Sequence, residues 1–232
     1  MKTYSLTLKS PVSDAYRSQK AANSLDIDTK KKSVHNITVE ADLDTPYNIG
    51  VIVGASGSGK TTLAHEIFGE DCFDTHLRNT EPVIEQFPEE YTYDECAKML
   101  SGMGLTSVPC WIRPAYTLSN GQRARAEAAL SMAKNDELTV IDEWTSVVDR
   151  TVAKVMSHCV QKHARKQKKT IVLCSCHYDI LDWVNPDWII DCNKQEYTDL
   201  RNSQKKNEKS SSNLKSEQFH GTVGNSLANI II

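Results

Sequence analysis

The apolar run Ile49–Val53 leads directly into Gly54-Ala55-Ser56-Gly57-Ser58-Gly59-Lys60-Thr61-Thr62, and no other stretch narrows the possible folds as far. The spacing is G-x-x-x-x-G-K-[ST]. Glycines at Gly54, Gly57 and Gly59 let successive backbone N–H groups turn toward a polyphosphate with no Cβ in the way. Lys60 is spaced to reach the β- and γ-phosphates and Thr61 to ligate Mg²⁺, while the helix expected from Thr62 turns its positive end toward the same anion. The competing reading is a glycine-rich strand-to-helix turn that binds nothing. A full eight-residue pattern preceded by an apolar strand weighs strongly against it.

A chain of 232 residues has room for one α/β core and a small accessory part. The net charge of −3 gives no global bias toward nucleic acid or anionic membrane. Seven cysteines, an odd number scattered from Cys72 to Cys192, do not make a disulfide framework at this size, so a reducing, cytoplasmic setting is expected. No run approaches the roughly 18–20 apolar residues that span a bilayer, and the first residues lack the apolar core of a signal peptide. Direct membrane insertion is therefore not expected.

Tyr4–Leu8 and Val34–Val39 read as short strands, with a polar stretch ending in Lys30-Lys31-Lys32 between them. Ile49–Val53 is continuous enough to be a parallel strand buried on both faces. The helix from Thr62 carries Leu63, Ile67 and Phe68 on one face and stops near Gly69. Residues 71–88 look irregular, and 94–103 look briefly helical. Ser119 reads as the N-cap of a helix over Arg123–Lys134. Leu138–Ile141 reads as a buried strand ending in Asp142-Glu143, where α/β proteins bind ligands. Thr151–Lys168 is amphipathic, and its basic end suits the negative pole of a helix. Thr170–Cys174 and Trp188–Asp191 read as further strands, with a short helix near Asp179–Val184. Cys174, Cys176 and His177 lack a second ligand pair at zinc-like spacing. Beyond Arg201 the sequence is too polar to bury anything and reads as a disordered tail.

The order of these features resembles the ATP-binding-cassette (ABC) ATPases over roughly residues 34–191. The resemblance implies a P-loop NTPase fold: a mainly parallel sheet flanked by helices, with a shortened helical subdomain near 89–118. The expected organisation is an N-terminal strand and polar loop at 1–33, the ATPase domain at 34–200 and the tail at 201–232. Gly54–Thr62 would be the Walker A motif. Gln86 would be the Q-loop glutamine holding Mg²⁺ and the attacking water. Leu118–Gln122 resembles the signature motif, with Asn120 for the usual glycine. Asp142 would hold Mg²⁺ and Glu143 would act as the catalytic base. Ser146–Asp149 would form the D-loop, and His177 would be the switch histidine at the γ-phosphate. In such a family Ser119, Gly121, Gln122 and Asp149 of one copy help close over ATP bound to the other, in a head-to-tail homodimer.

The chain departs from the pattern in its short spans on either side of Gln86 and in Trp144, which stands where proline is usual. It also has no well-placed adenine-stacking aromatic; Tyr16 and Tyr47 are the candidates. The phrases around Asp142–Arg150 and Ser175–Trp183 are similar to soluble, phage- or mobile-element-type members often fused to an acetyltransferase-like domain. Here only a polar tail follows, so a stand-alone or truncated member is expected, without that activity. The function implied is ATP binding and hydrolysis that switches an unidentified protein or nucleic-acid partner. The ATP-binding subunit of a membrane transporter, or a nucleotide-gated module with little turnover, are the alternatives.

Overall fold

The computed structural model describes residues 1–10, 13–27, 33–73, 76–134 and 137–201. The lysine run at 30–32 and the tail from residue 202 lie outside them. Strand β1 (Lys2–Ser10) pairs antiparallel with β2 (Ser33–Ala41) in a two-stranded sheet, and helix α1 (Tyr16–Ser24) lies between them in the chain. This helix interrupts the stretch read as a polar loop. It buries only Ala22, so it leaves no apolar stripe in the sequence.

The main sheet has the order β4-β5-β3-β6-β7: β4 (Leu138–Ile141), β5 (Thr170–Ser175), β3 (Ile49–Val53), β6 (Trp188–Asp191) and β7 (Glu196–Asp199). The first four are parallel, and β7 returns antiparallel to β6 as a polar edge strand that the sequence reading omits. All five residues of β3 are buried, as expected for a central parallel strand. Gly50 is required there: a Cβ would lie 2.0 Å from the Trp188 ring, so the glycine lets the indole cross the strand.

The helices are α2 (Lys60–Phe68), α3 (Tyr93–Gly102), α4 (Val108–Trp111), α5 (Asn120–Ala133), α6 (Arg150–Gln167) and α7 (Ile180–Val184). Alternation along β3 divides the core. Val51 and Val53 face a cluster with Leu100, Ala129, Met156 and Val160, from α3, α5 and α6. Ile52 faces Leu63, Ile37 and Val39, so α2 and the β1–β2 hairpin cover the other side. Burying Leu63 completely is worth about 1.5–3 kcal/mol and seats α2 on the sheet. On α6, Val155 is 48% exposed rather than part of the buried stripe. Among the described residues no helix is long and apolar enough to cross a membrane.

At the foot of β3 the buried Asp187 carboxylate accepts hydrogen bonds from Asn48 N (2.7 Å) and Ile49 N (2.9 Å), and Arg165 pairs with it at 3.2 Å. Tyr47 packs edge-on against Trp188, with ring centroids 5.2 Å apart, and burial raises its phenol pKa. Tyr47 is thus partly buried with its ring packed against the core. Tyr16 is 77% exposed.

Candidate functional site

The C-terminal ends of β3, β4 and β5 are adjacent, so the loops after them meet along one edge of the sheet. Such an edge is where open α/β sheets bind ligands. After β3, Ala55, Ser56 and Gly57 are exposed at the crown of the loop, while Gly54, Ser58 and Lys60 are buried. Gly57 and Gly59 have φ of 77° and 86°, the left-handed region that favours glycine. Gly59 is also crowded: a Cβ would sit 2.5 Å from Ile37 Cδ1 and 2.8 Å from Leu8 Cδ1, so the hairpin β1–β2 packs onto the loop. Lys60 Nζ donates to Gly54 O and Ala55 O, both at 2.9 Å. Its ammonium is parked on the loop carbonyls, within the concavity. Thr62 is exposed on the first turn of α2.

Thr61 Oγ1 donates to Asp142 Oδ2 at 2.8 Å, which joins the phosphate loop to the end of β4. Asp142 Oδ1 and Ser58 Oγ are buried with no partner among the described residues. A hydroxyl beside a carboxylate with an unused oxygen is the hard donor set that Mg²⁺ prefers, so these residues fit the cation. They would hold it between loop and strand, where it would neutralise phosphate charge.

Glu143 follows with φ 48° and is exposed, and its Oε2 accepts from Ser146 Oγ at 2.5 Å. Trp144 explains why the chain tolerates this turn. It is 2% exposed, its Nε1 donates to Ser157 Oγ at 3.2 Å, and its backbone N–H donates to Cys174 O at 2.8 Å. Thr145 then takes φ 65°. The buried indole turns inward and leaves Glu143 facing out. A cleft of about 420 Å³ borders this turn, lined by Asp142, Glu143 and Trp144 on one side and His65, Phe73, His76 and Glu127 on the other.

Ser175 joins this turn to His177. Its hydroxyl, fully buried, donates to Trp144 O at 3.0 Å and accepts from His177 N at 3.1 Å. The sequence reading ended β5 at Cys174 and missed it; a serine at a strand end carries no local signal beyond its position.

Ser119 caps α5 as read, and Gln122 completes a capping box: Ser119 Oγ accepts from Gln122 N, and Gln122 Oε1 accepts from Ser119 N at 2.9 Å. Gly121 abuts the D-loop segment, where a Cβ would meet Val147 O at 3.2 Å. Asp149 caps α6 by accepting from Thr151 N and Val152 N, both at 3.0 Å. Arg150 forks onto Asp179, two residues past His177, and lies over the Trp183 ring at 5.1 Å.

Gln86 bonds to a loop near it in the chain. It ends a 3-10 turn, and its carboxamide accepts from Arg78 N (2.7 Å) and donates to Arg78 O (3.0 Å) and Glu81 O (3.1 Å). Both amide hydrogens and one lone pair of the oxygen are engaged in closing the 78–81 loop. The segment that reaches β4 is instead 72–73: Phe73 pairs parallel with Val140, and Val140 N donates to Cys72 O at 2.7 Å.

The mostly parallel sheet flanked by helices, with the glycine-rich loop between β3 and α2, is the fold of ABC-type nucleotide-binding domains. No protein-family model matches the chain. It is 25% identical over 183 residues to the energy-coupling factor transporter ATP-binding protein EcfA1 of Staphylococcus saprophyticus, covering 62% of this chain and 67% of that protein. Among solved structures it resembles the dimeric bacterial ABC transporter cassette MJ0796, with TM-score 0.55, 14% identity, and coverage of 84% of this chain and 99% of that one. A bacterial Atm1-family ABC exporter with ATP bound matches at TM-score 0.55 and 15% identity, over 84% of this chain but 38% of the exporter.

Proposed function

We propose that the chain binds ATP with Mg²⁺ and hydrolyses it. The supporting observation is the 2.8 Å contact between Thr61 and Asp142, which sets a phosphate loop, a free carboxylate oxygen and the outward-facing Glu143 along one sheet edge. In this reading Gly54–Thr62 wraps the phosphates, with Lys60 leaving its loop carbonyls for the phosphate oxygens. Thr61 and Asp142 hold the cation. Glu143 takes the proton of the attacking water, and His177 donates to the terminal phosphate. Positioning and charge compensation carry such a reaction. Ser119, Gly121, Gln122 and Asp149 sit on helix starts that would close over ATP on a second copy in a head-to-tail dimer; the dimeric cassette MJ0796 supports this assembly.

Hydrolysis would drive a conformational switch in a soluble, cytoplasmic partner process, a reading supported by the short helical region at 93–117. The likeness to EcfA1, named as a transporter's ATP-binding protein, favours a second reading: the ATP-binding subunit of a membrane transporter. The test of the first step is ATP turnover with Mg²⁺ by the wild type, its loss in Lys60→Ala, and a dimer trapped by ATP in Glu143→Gln on size exclusion. A Glu143→Gln protein that stays monomeric with ATP would refute the dimer. Recovery of Glu143→Gln with a transmembrane protein would select the transporter reading, and DNA- or RNA-stimulated turnover the other.

A further inference from the structure

The turn between β6 and β7 belongs to none of the motifs above, yet it touches both the phosphate loop and the His177 segment. Asn193 Oδ1 accepts from Ala55 N at 3.2 Å, and Asn193 Nδ2 donates to Tyr178 OH at 3.2 Å. The carboxamide orientation follows from chemistry: Ala55 N–H can only donate, so the atom facing it is the oxygen. Tyr178 OH in turn lies 3.1 Å from both oxygens of Asp191, which accept its proton. The bonds therefore run one way, from the loop amide through the carboxamide and the phenol to a carboxylate, an order in which each bond polarises the next.

The end of this chain is fixed. Asp191 is buried and also accepts from Asn193 N (2.9 Å) and Lys194 N (3.1 Å). On the far side of the turn, Gln195 donates to Asn36 O and accepts from Thr38 N, which anchors it to β2. Cys192 packs beneath the loop, 3.1 Å from where a Gly54 Cβ would lie, and burial pushes its thiol up to about 11, so it is an inert spacer. Among the described residues, Asn193 is the one that spans from this anchored turn to both Ala55 and Tyr178 through side-chain hydrogen bonds.

We propose that Asn193 is a positioning residue: its carboxamide couples the phosphate loop to Tyr178, and thereby sets the neighbouring His177 according to how the loop closes on the phosphates. The inference rests on the ATPase reading above, with His177 at the terminal phosphate. Asn193 and Tyr178 touch no reacting atom; they act through the Ala55 amide and the chain at 177–178.

Asn193→Ala breaks both of its bonds, and Tyr178→Phe breaks the second together with the phenol's bond to Asp191. Asn193→Asp keeps an acceptor for Ala55 N and loses the donor to Tyr178. Breaking the connection at one hydrogen bond of ordinary net strength corresponds to an effect of up to about tenfold. The expected result is a roughly tenfold loss of kcat in all three variants, with equilibrium ATP affinity within about twofold of wild type in the two that add no charge, Asn193→Ala and Tyr178→Phe. The double variant Asn193→Ala/Tyr178→Phe should be no slower than Asn193→Ala, because both cut one connection. A wild-type kcat in Asn193→Ala, or losses that multiply in the double variant, would overturn the proposal. Amide hydrogen exchange without nucleotide provides a readout independent of turnover: Asn193→Ala should speed exchange at both Ala55 and residues 176–179, whereas acceleration at Ala55 alone would also overturn it. If the wild type itself neither binds nor hydrolyses ATP, the ATPase reading fails, and with it the role at His177. The exchange result still reports the coupling.

Discussion

Removing a single oxygen from Ser175 should weaken the protein and its chemistry together. Ser175→Ala deletes the donor to Trp144 O and the acceptor for His177 N while leaving the strand backbone and packing almost unchanged. Each bond contributes about 0.5–1.5 kcal/mol net, and a buried carbonyl left without its donor costs about 1–3 kcal/mol. The two descriptions overlap at Trp144 O, so the expected loss is about 2–3 kcal/mol. With a urea m-value of about 2–3 kcal/mol/M, the unfolding midpoint should fall by about 1 M. Ser175→Cys puts a larger and much weaker donor in this fully buried site and should fall nearly as far. ATP affinity should stay near wild type, because the Thr61–Asp142 contact is untouched, while the hydrolysis rate drops as Glu143 and His177 lose their common tether. An unchanged midpoint in Ser175→Ala would refute the claim that this hydroxyl joins the two strand ends.

Gly59→Ala and Gly57→Ala form a matched pair. Both residues have positive φ, which costs about 1–2 kcal/mol for alanine. Only at Gly59 does the methyl also strike Ile37 and Leu8, so thermal denaturation should show the larger loss there, along with the loss of stabilisation by ATP. Gln86→Ala should cost about 1–2 kcal/mol in urea unfolding through the 78–81 loop and leave the Mg²⁺ dependence of hydrolysis unchanged; a raised Mg²⁺ requirement would restore Gln86 as a metal-site residue. His163 is pushed below its usual 6.5 by burial, with Lys169 and Lys166 adding to the shift and the Met132 backbone opposing it. The unfolded chain therefore takes up the proton first as pH falls. The stability from neutral His163 is present above pH 6.5 and lost as pH drops toward the folded pKa. His163→Gln should flatten the fall in unfolding free energy between about pH 7.5 and 5.5.

The elements that were legible in sequence are those whose own residues carry the signal. Ile49–Val53, Leu138–Ile141 and Trp188–Asp191 match their strands to the residue, because a parallel strand buried on both faces is written as a continuous apolar run. The Ser119 cap was readable because a serine three residues before a polar partner satisfies orphan amides locally. α1 and β7 were not readable, since one buries a single alanine and the other is an edge strand with no buried residue. The local structure at Gln86 was hidden for a related reason: a glutamine after a short apolar pair looks like a strand end, whereas Ile84–Gln86 is a 3-10 turn. The residue pairing with β4 is Phe73, and that contact depends on a partner 67 positions away.

The bonds that join the motifs were beyond sequence reasoning because the sheet order, β4-β5-β3-β6-β7, is not the chain order. Ser175 reaches Trp144 across 31 residues, and Asn193 reaches Ala55 across 138. A motif sits on the loop that follows its own strand and can be read from it; a tether lies between two such loops and exists only once the strands are neighbours. The His177 segment is held on both flanks by such tethers, by Ser175 to the turn after β4 and by Tyr178 with Asn193 to the loop after β3. These flanks predict different behaviour. Ser175 is buried and satisfied in full, so its bonds are fixed parts of the fold. Asn193 is exposed and bonds to a loop amide that, in the proposed ATPase, adjusts when phosphates enter, so in that reading its bonds are the ones free to change with the nucleotide.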